Sequence, residues 1–363
     1  MSSKHLVIMA AGTGGHIMPG LAVAEEMLRR GWSVSWMGTE QGMENQLVPP
    51  TGLPLDRLAF SGLRGKGFKH AFTGVFKLIQ AFVQSRQVFV TRSADAVLGM
   101  GGYVCFPGGL MAWLTRKPLM LINADAAMLL SNQTLKPFAR RIGFGFDGVA
   151  AASTKKAVVT GNPVRDEVEA IAPPAERYAG RSGPLKVLVV GGSLGARAIN
   201  EAIPKALALW PLESRPVVIH QTGLANLTTV QAAYHAAGID DANLLPFIDD
   251  MAAQLAAADL VVCRAGAITV SELCAAGLPA VLVPLVVSTT SHQRDNAEHM
   301  AAMGAAIHLP QAGLTPAVLA ATLKSLDRAA LLAMAKKARA LARPQAAARV
   351  ADQIEILVEG SAR

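Results

Sequence analysis

Three glycine-rich stretches carry the residue types best able to do chemistry. Ala10-Ala11-Gly12-Thr13-Gly14-Gly15-His16 follows the apolar run Leu6-Val7-Ile8-Met9. Gly191-Gly192-Ser193-Leu194-Gly195 follows Lys186 to Val190, and Cys263-Arg264-Ala265-Gly266 leads into Ala267-Ile268-Thr269-Val270-Ser271-Glu272. Each reads as a strand end, a glycine turn and a helix start. The first N–H groups of a helix have no partner within it and its dipole is positive there, so such a turn favours an anion. It serves equally as a tight packing turn, and the glycines alone do not choose. In the third stretch the helix is expected to begin near Thr269 with a hydroxyl at its start, which puts Glu272 in the first turn. From there the carboxylate either caps the helix or takes both hydroxyls of a ribose. Further on, His292-Gln293-Arg294-Asp295-Asn296 follows a wholly apolar run. A polar cluster in that position belongs at the carboxyl end of a strand, where hydroxyl-bearing ligands are read.

Several chemistries are not signalled. Neither of the first two loops has the GxGxxG of a dinucleotide site or the GxxxxGK[ST] of a nucleoside triphosphatase. No CxxC or HExxH occurs, and no Asp-X-Asp lies on either loop, so neither a metal nor a cofactor is expected. The three cysteines, Cys105, Cys263 and Cys274, are too few and too scattered for a disulfide framework.

These loops need elements to hold them. At 363 residues the chain has room for about two domains, and 52% hydrophobic with 17% charged residues can fill a core in each. The first part alternates strand and helix: strands at Leu6 to Met9, Ser33 to Met37, Ala96 to Met100 and Leu119 to Ile122, with a helix from Leu21 to Arg29. Pro173-Pro174 through Gly183-Pro184 reads as a linker. The pattern then restarts with strands at Lys186 to Val190, Val217 to Gln221, Leu260 to Cys263 and Ala280 to Pro284, and ends in an alanine-rich helical stretch, Ala330 to Val358. The expected fold is α/β, two Rossmann-like domains in tandem, with a ligand cleft at the carboxyl ends of both sheets. The expected bounds are 1–164 and 165–340, with 341–363 packing back on the first domain.

Charge is uneven. The 38 positions between Asp56 and Asp95 hold no acid and seven bases: Arg57, Arg64, Lys66, Lys69, Lys77, Arg86 and Arg92. Phe68, Phe72, Val75, Phe76, Ile79, Phe82 and Val83 fall there at helical spacing. Either the stripe lies in the core and the basic face in water, or part of the stripe docks on an anionic lipid surface. Nucleic acid fits less well, because large apolar residues rather than polar or stacking ones separate the bases. The uncharged run Ala96 to Thr115 is long enough to span a bilayer, but its glycines and Pro107 make strand, loop and buried helix the better reading.

Taken together, the motifs resemble the MurG family, the bacterial transferases that add N-acetylglucosamine to lipid I. The matching residues are Gly12-Thr13-Gly14-Gly15-His16 with Pro19-Gly20-Leu21-Ala22; Ser61-Gly62-Leu63-Arg64-Gly65-Lys66-Gly67; Gly99-Met100-Gly101-Gly102-Tyr103; Gly161-Asn162-Pro163-Val164-Arg165; Gly191-Gly192-Ser193; and Arg264-Ala265-Gly266-Ala267 through Glu272. They stand in the family's order and cover nearly the whole chain. The resemblance implies the GT-B arrangement of two Rossmann-like domains and an inverting transfer from UDP-GlcNAc to the muramyl 4-hydroxyl of lipid I, giving lipid II for peptidoglycan synthesis. It implies a peripheral protein at the cytoplasmic face of the inner membrane.

Roles follow from the same resemblance. His16 would be the general base; at a helix N-terminus its cationic form is disfavoured, so it can accept a proton. Thr13, Gly14 and Gly15 would face the donor across the cleft. Arg165 and Ser193 would meet the nucleotide and its diphosphate, and Ile248, beside Phe247, would line the uracil pocket. Ala267, Ile268 and Thr269 would meet the sugar and diphosphate, with Val270 and Ser271 in the same substrate-binding run. Glu272 would hold the ribose and Gln293 would read the sugar hydroxyls. The chain departs from the family where His-Glu-Gln-Asn becomes Ile122-Asn123-Ala124-Asp125, which puts a carboxylate in an amide's place and would repel an adjacent diphosphate; Asn132 is kept, and Leu194 replaces a glutamine. The closest enzymatic rival is a nucleotide-sugar epimerase. A nicotinamide-dependent oxidoreductase would want its fingerprint at one of the first two loops, and neither has it; a lipid-binding adaptor would leave Glu272 and the second glycine loop unexplained.

Overall fold

The computed structural model describes residues 3–60, 68–192, 195–285 and 291–360, with the backbone alone for 68–73. The motif at 61–67, with Arg64 and Lys66, lies outside the described residues, as do Ser193 and Leu194. The chain forms two compact units, Met1–Pro163 with Gln345–Arg363, and Val164–Pro344.

The first unit is built on a seven-stranded parallel sheet: β1 (His5–Ala10), β2 (Ser33–Thr39), β3 (Leu55–Leu58), β4 (Ala96–Gly101), β5 (Leu119–Asn123), β6 (Arg141–Phe144) and β7 (Ala157–Val159), in the order β3-β2-β1-β4-β5-β6-β7. Helices cover both faces, so the central strands are continuously apolar. Alternate residues of β1 serve different cores. Leu6, Ile8 and Ala10 pack with Trp36 and Leu98, while Val7 and Met9 pack with Met37, Val97 and Leu121. The helix Ala346–Glu359 completes the first of these cores through Val350, Ala351 and Ile354. Arg30 pairs with Asp352 and Glu355, each at 2.7 Å, and holds it there.

The second unit has six parallel strands: β8 (Lys186–Val190), β9 (Val217–Gln221), β10 (Asn243–Leu245), β11 (Leu260–Cys263), β12 (Ala280–Leu282) and β13 (Ala306–His308), in the order β10-β9-β8-β11-β12-β13. In each unit the order reverses beside the first strand, between β1 and β4 and between β8 and β11. A glycine loop follows each of these strands, at the switch point where open α/β sheets bind ligands. Two Rossmann-like units are therefore the fold, as the alternation of elements predicts.

Three details differ from the sequence reading, and a fourth, left open there, is decided. The first long helix runs Gly14–Arg29 and so begins before Leu21; Pro19 and Gly20, just ahead of the expected start, are buried inside it. Pro173 to Pro184 is not a free linker. Its Pro174–Tyr178 helix starts on proline, as helices readily do, and Tyr178 sits in the second unit's core with its hydroxyl donating to the Asp259 carbonyl. The alanine-rich tail is two helices, Arg328–Ala340 and Ala346–Glu359, split where Pro344 precedes a left-handed Gln345. Finally, the apolar stripe of the Phe68–Thr91 helix does not all turn inward. Val75, Phe76, Ile79 and Val83 are 56%, 69%, 56% and 62% exposed, while Ala81, Ser85 and Phe89 face the core. Among the described residues no helix is long and apolar enough to cross a membrane.

Candidate active site

In the first unit the register of β1 against β4 shifts after Met9, so that Ala10 lies opposite Gly101 and the Ala11 N–H donates to the Gly101 carbonyl at 3.2 Å. The helix starts at Gly14 with an extended Thr13 as its N-cap, and the Thr13 side chain makes no capping bond. His16 therefore lies in the first helical turn, where its N–H reaches the Thr13 carbonyl at 3.1 Å. Its half-buried ring lies directly over Gly101: a Cβ there would stand 2.6 Å from the ring. A Cβ on Gly102 would stand 2.4 Å from the Ala11 carbonyl oxygen, and both glycines have positive φ. Gly101 is thus the floor on which the His16 ring rests, and a side chain on Gly102 would collide with the Ala11 main chain. Thr13 and Gly15 are exposed and Gly14 is half-buried.

The departure at 122–125 falls on the carboxyl end of β5. Asn123 is buried there. Its amide donates to the carbonyls of Asp125 (2.8 Å) and Ala127 (3.0 Å), and its oxygen accepts from Leu129 N–H (2.9 Å) and from Asn132 (3.1 Å). Two amides thus fold this loop, and Asp125 sits half-buried within it.

In the second unit the Arg197–Leu207 helix follows the loop at Gly191, Gly192 and Gly195. Sequence reasoning did not single out what lies beneath. Asn200 donates to the Thr222 carbonyl at 3.0 Å and its oxygen faces His220 Nε2 at 3.0 Å; His220 Nδ1 faces the Tyr234 hydroxyl at 3.1 Å. Because the Asn200 amide nitrogen is used on Thr222, its oxygen must accept, which puts the His220 proton on Nε2 and leaves Nδ1 to accept from Tyr234. Burial pushes His220 down to about 4, so the ring is neutral, and pushes the Tyr234 hydroxyl upward. A histidine inside the apolar strand Val217–Gln221 was the signal available to find this network.

The helix after β11 runs Ala267–Ala276 with Gly266 as its N-cap and no side-chain cap, so Thr269 does not cap it and Glu272 stands in the second turn rather than the first. Val270 N–H makes the first intrahelical bond, to Gly266 at 2.9 Å, and the N–H groups of Ala267, Ile268 and Thr269 precede it. Val270 and Ala267 turn into the core; Ile268, Thr269, Ser271 and Glu272 are half-buried. Glu272 is not a cap. Its Oε1 accepts from Arg165 Nε at 3.1 Å and Nη2 at 2.7 Å. The structure thus brings together two residues that the resemblance assigns to different parts of the donor. Asn296 holds the turn itself by donating to the Ala265 carbonyl at 3.0 Å. Gln293, on the His292–Ala302 helix, accepts from the Leu285 N–H at 2.9 Å, and Ile248 is buried beside an exposed Phe247.

The two sheets, with one glycine loop at each switch point and an arginine–carboxylate pair beside an open helix N-terminus, are those of a GT-B glycosyltransferase. Residues 6–144 match the N-terminal domain of glycosyltransferase family 28 and residues 186–354 its C-terminal domain. The chain belongs to that family. It is 66% identical, over 99% of both chains, to a Methylibium petroleiphilum protein named UDP-N-acetylglucosamine–N-acetylmuramyl-(pentapeptide) pyrophosphoryl-undecaprenol N-acetylglucosamine transferase. A Chromobacterium violaceum protein of the same name is 62% identical over 97% of this chain and 98% of its own. The crystal structure of Acinetobacter baumannii MurG superposes with a TM-score of 0.84 at 37% identity, covering 97% of this chain and 99% of that one.

Proposed function

We propose that this chain transfers N-acetylglucosamine from UDP-GlcNAc to the 4-hydroxyl of the muramyl sugar of lipid I, with inversion, giving lipid II. The observation that carries this reading is the 66% identity, end to end, to a transferase named for that donor and acceptor. His16 takes the proton as the acceptor oxygen attacks the anomeric carbon; the bond from that carbon to the phosphate oxygen breaks, and UDP leaves with the electron pair. Arg165 and the N–H groups of Ala267, Ile268 and Thr269 bear the charge of the departing diphosphate, and the family resemblance assigns Ser193 to the same task. Donor entry re-partners the ion pair: Arg165 turns to phosphate and Glu272 to the ribose hydroxyls. Ile248 lines the base pocket, Gln293 reads the sugar, and Asp125 stands on the acceptor's unit. The test is movement of radiolabelled N-acetylglucosamine from UDP-GlcNAc to a lipid-linked muramyl acceptor. Conversion of the donor with no acceptor present would instead establish an epimerase.

A lipid acceptor stays in its bilayer, so the enzyme works at the cytoplasmic face of the inner membrane as a peripheral protein. Its attachment surface is the exposed stripe Val75, Phe76, Ile79 and Val83; on the Cys105–Leu114 helix that packs against this one, Trp113 and Leu114 are 51% and 56% exposed. Phe82 and Phe106 join the two helices, with ring centroids 6.2 Å apart. Beyond Trp113 opens a cleft of about 630 Å³ lined by Arg116, Lys117, Arg140, Arg141 and Lys156, with charge suited to anionic headgroups. Arg92 adds little, because Asp56 holds it at 2.9 and 3.0 Å. Replacing Phe76 and Ile79 with serine removes apolar burial worth roughly 1.5–3 kcal/mol per side chain. The double variant is expected to leave anionic vesicles on sedimentation while binding donor as the parent does. Undiminished sedimentation would make the stripe an ordinary exposed face.

A further inference from the structure

Glu44 begins the short helix Glu44–Leu47 after β2, and its side chain is wholly buried. A carboxylate removed from water is costly unless it is paired or fully hydrogen-bonded. Among the described residues no cation pairs with Glu44; hydrogen-bond donors surround it instead. Its Oε2 accepts from the Gly12 N–H at 3.0 Å and its Oε1 from the Thr39 N–H at 2.9 Å; the Thr39 hydroxyl lies 2.6 Å from Oε1 and shares its one proton between that oxygen and the Gln41 carbonyl. The neighbouring Met43 N–H donates to the Gly12 carbonyl at 3.1 Å. Both main-chain polar groups of Gly12 are therefore held by residues 43 and 44. Gly42, at φ +148, leaves the space the carboxylate fills: a Cβ there would lie 2.3 Å from Glu44 Oε2.

Gly12 begins the turn that leads through Thr13 to the helix carrying His16. We propose that Glu44 is a positioning residue for the transfer: its carboxylate anchors Gly12, and with it the loop that sets where the His16 ring stands. The inference rests on His16 as the base and adds a residue outside every motif of the sequence. The site requires a carboxylate because all three groups facing it can donate and two of them, the main-chain N–H groups, can do nothing else. Glutamine has the same size and shape, but whichever way its amide turns, its NH₂ meets either the Gly12 or the Thr39 N–H. Aspartate keeps the charge but is one methylene too short to reach both.

The experiment measures Glu44→Gln and Glu44→Asp in the full-length protein, alone and combined with His16→Ala, with melting temperature alongside. A misplacement of the base by about 1 Å costs up to about 100-fold. Glu44→Gln is expected to lower kcat about 10- to 100-fold with KM for UDP-GlcNAc nearly unchanged. Glu44→Asp is expected to recover part of the loss. On the His16→Ala background Glu44→Gln should have no further effect, because the imidazole it positions is gone. A folded Glu44→Gln with more than half of the parent's kcat overturns the proposal, as does an equal proportional loss with and without His16. Should Glu44→Gln not fold, Glu44→Asp decides by the same criteria. A His16→Ala protein of nearly full activity would remove the base assignment instead, which is a separate outcome.

Discussion

The two glycine loops stand at equivalent places in the two sheets but are held from beneath by opposite chemistry. Under the first, the ionisable Glu44 takes two main-chain N–H groups, with the Thr39 hydroxyl beside it, and anchors Gly12. Under the second, Asn200, His220 and Tyr234 form a neutral chain that ends on the Thr222 carbonyl. The difference tracks what each loop is asked to do. On the proposed function a diphosphate sits at the second, where a buried carboxylate beneath it would oppose the helix N-terminus that attracts the anion. On the same proposal the first loop carries the proton acceptor, and a carboxylate behind it does no such harm. Neutrality in the second unit has its own requirement: an imidazole kept out of water must stay unprotonated.

The strongest break between the two loops is kinetic. His16→Ala is expected to reduce turnover by roughly two to four orders of magnitude, the span of a general base, with donor affinity unchanged by equilibrium binding. Retention of turnover would leave the first loop as scaffold.

The buried imidazole supplies the next contrast. Its ordinary value of 6.5 falls to about 4 in the folded protein. Between those values the unfolded chain binds a proton that the folded chain refuses, so this contribution to stability is whole above about pH 6.5 and is lost as pH falls toward 4, on the order of 3 kcal/mol at most. Denaturant titrations across that range should show a shallower pH slope in His220→Gln than in the parent. Equal slopes would mean that His220 does not titrate apart from the rest of the unit.

The smallest of the three concerns the donor. If Glu272 holds the ribose as proposed, Glu272→Ala removes charge-assisted hydrogen bonds worth roughly 1.5–3 kcal/mol and should weaken UDP binding by about one to two orders of magnitude. The loss is moderated because Arg165, freed from its partner, meets the diphosphate without first breaking a pair. At saturating donor, turnover should fall far less than in His16→Ala. An unchanged donor dissociation constant would confine Glu272 to its ion pair.

Much of this molecule is legible in its sequence, and the reason is period and punctuation. Apolar runs such as Leu6 to Met9 can only be strands buried on both faces, and glycines directly after them mark the switch-point loops. The motifs with His16, Arg165 and Glu272 are local in sequence, so the family could be read without coordinates. Helix starts were less legible. One helix runs through Pro19-Gly20 and begins ahead of Leu21, and another begins at Ala267 rather than near Thr269, because burial against the sheet and an uncapped glycine start outweigh local preference.

What only the tertiary structure decided are the relations between residues far apart in the chain. Arg165 and Glu272 are 107 positions apart, and no spacing rule joins them. Glu44 lies in no motif, and its burial depends on the Gly12 and Thr39 groups that fold around it. The stripe of the Phe68–Thr91 helix was ambiguous for the same reason. An amphipathic pattern fixes which residues share a face, but only the packing of neighbouring elements decides whether that face meets the core or the solvent.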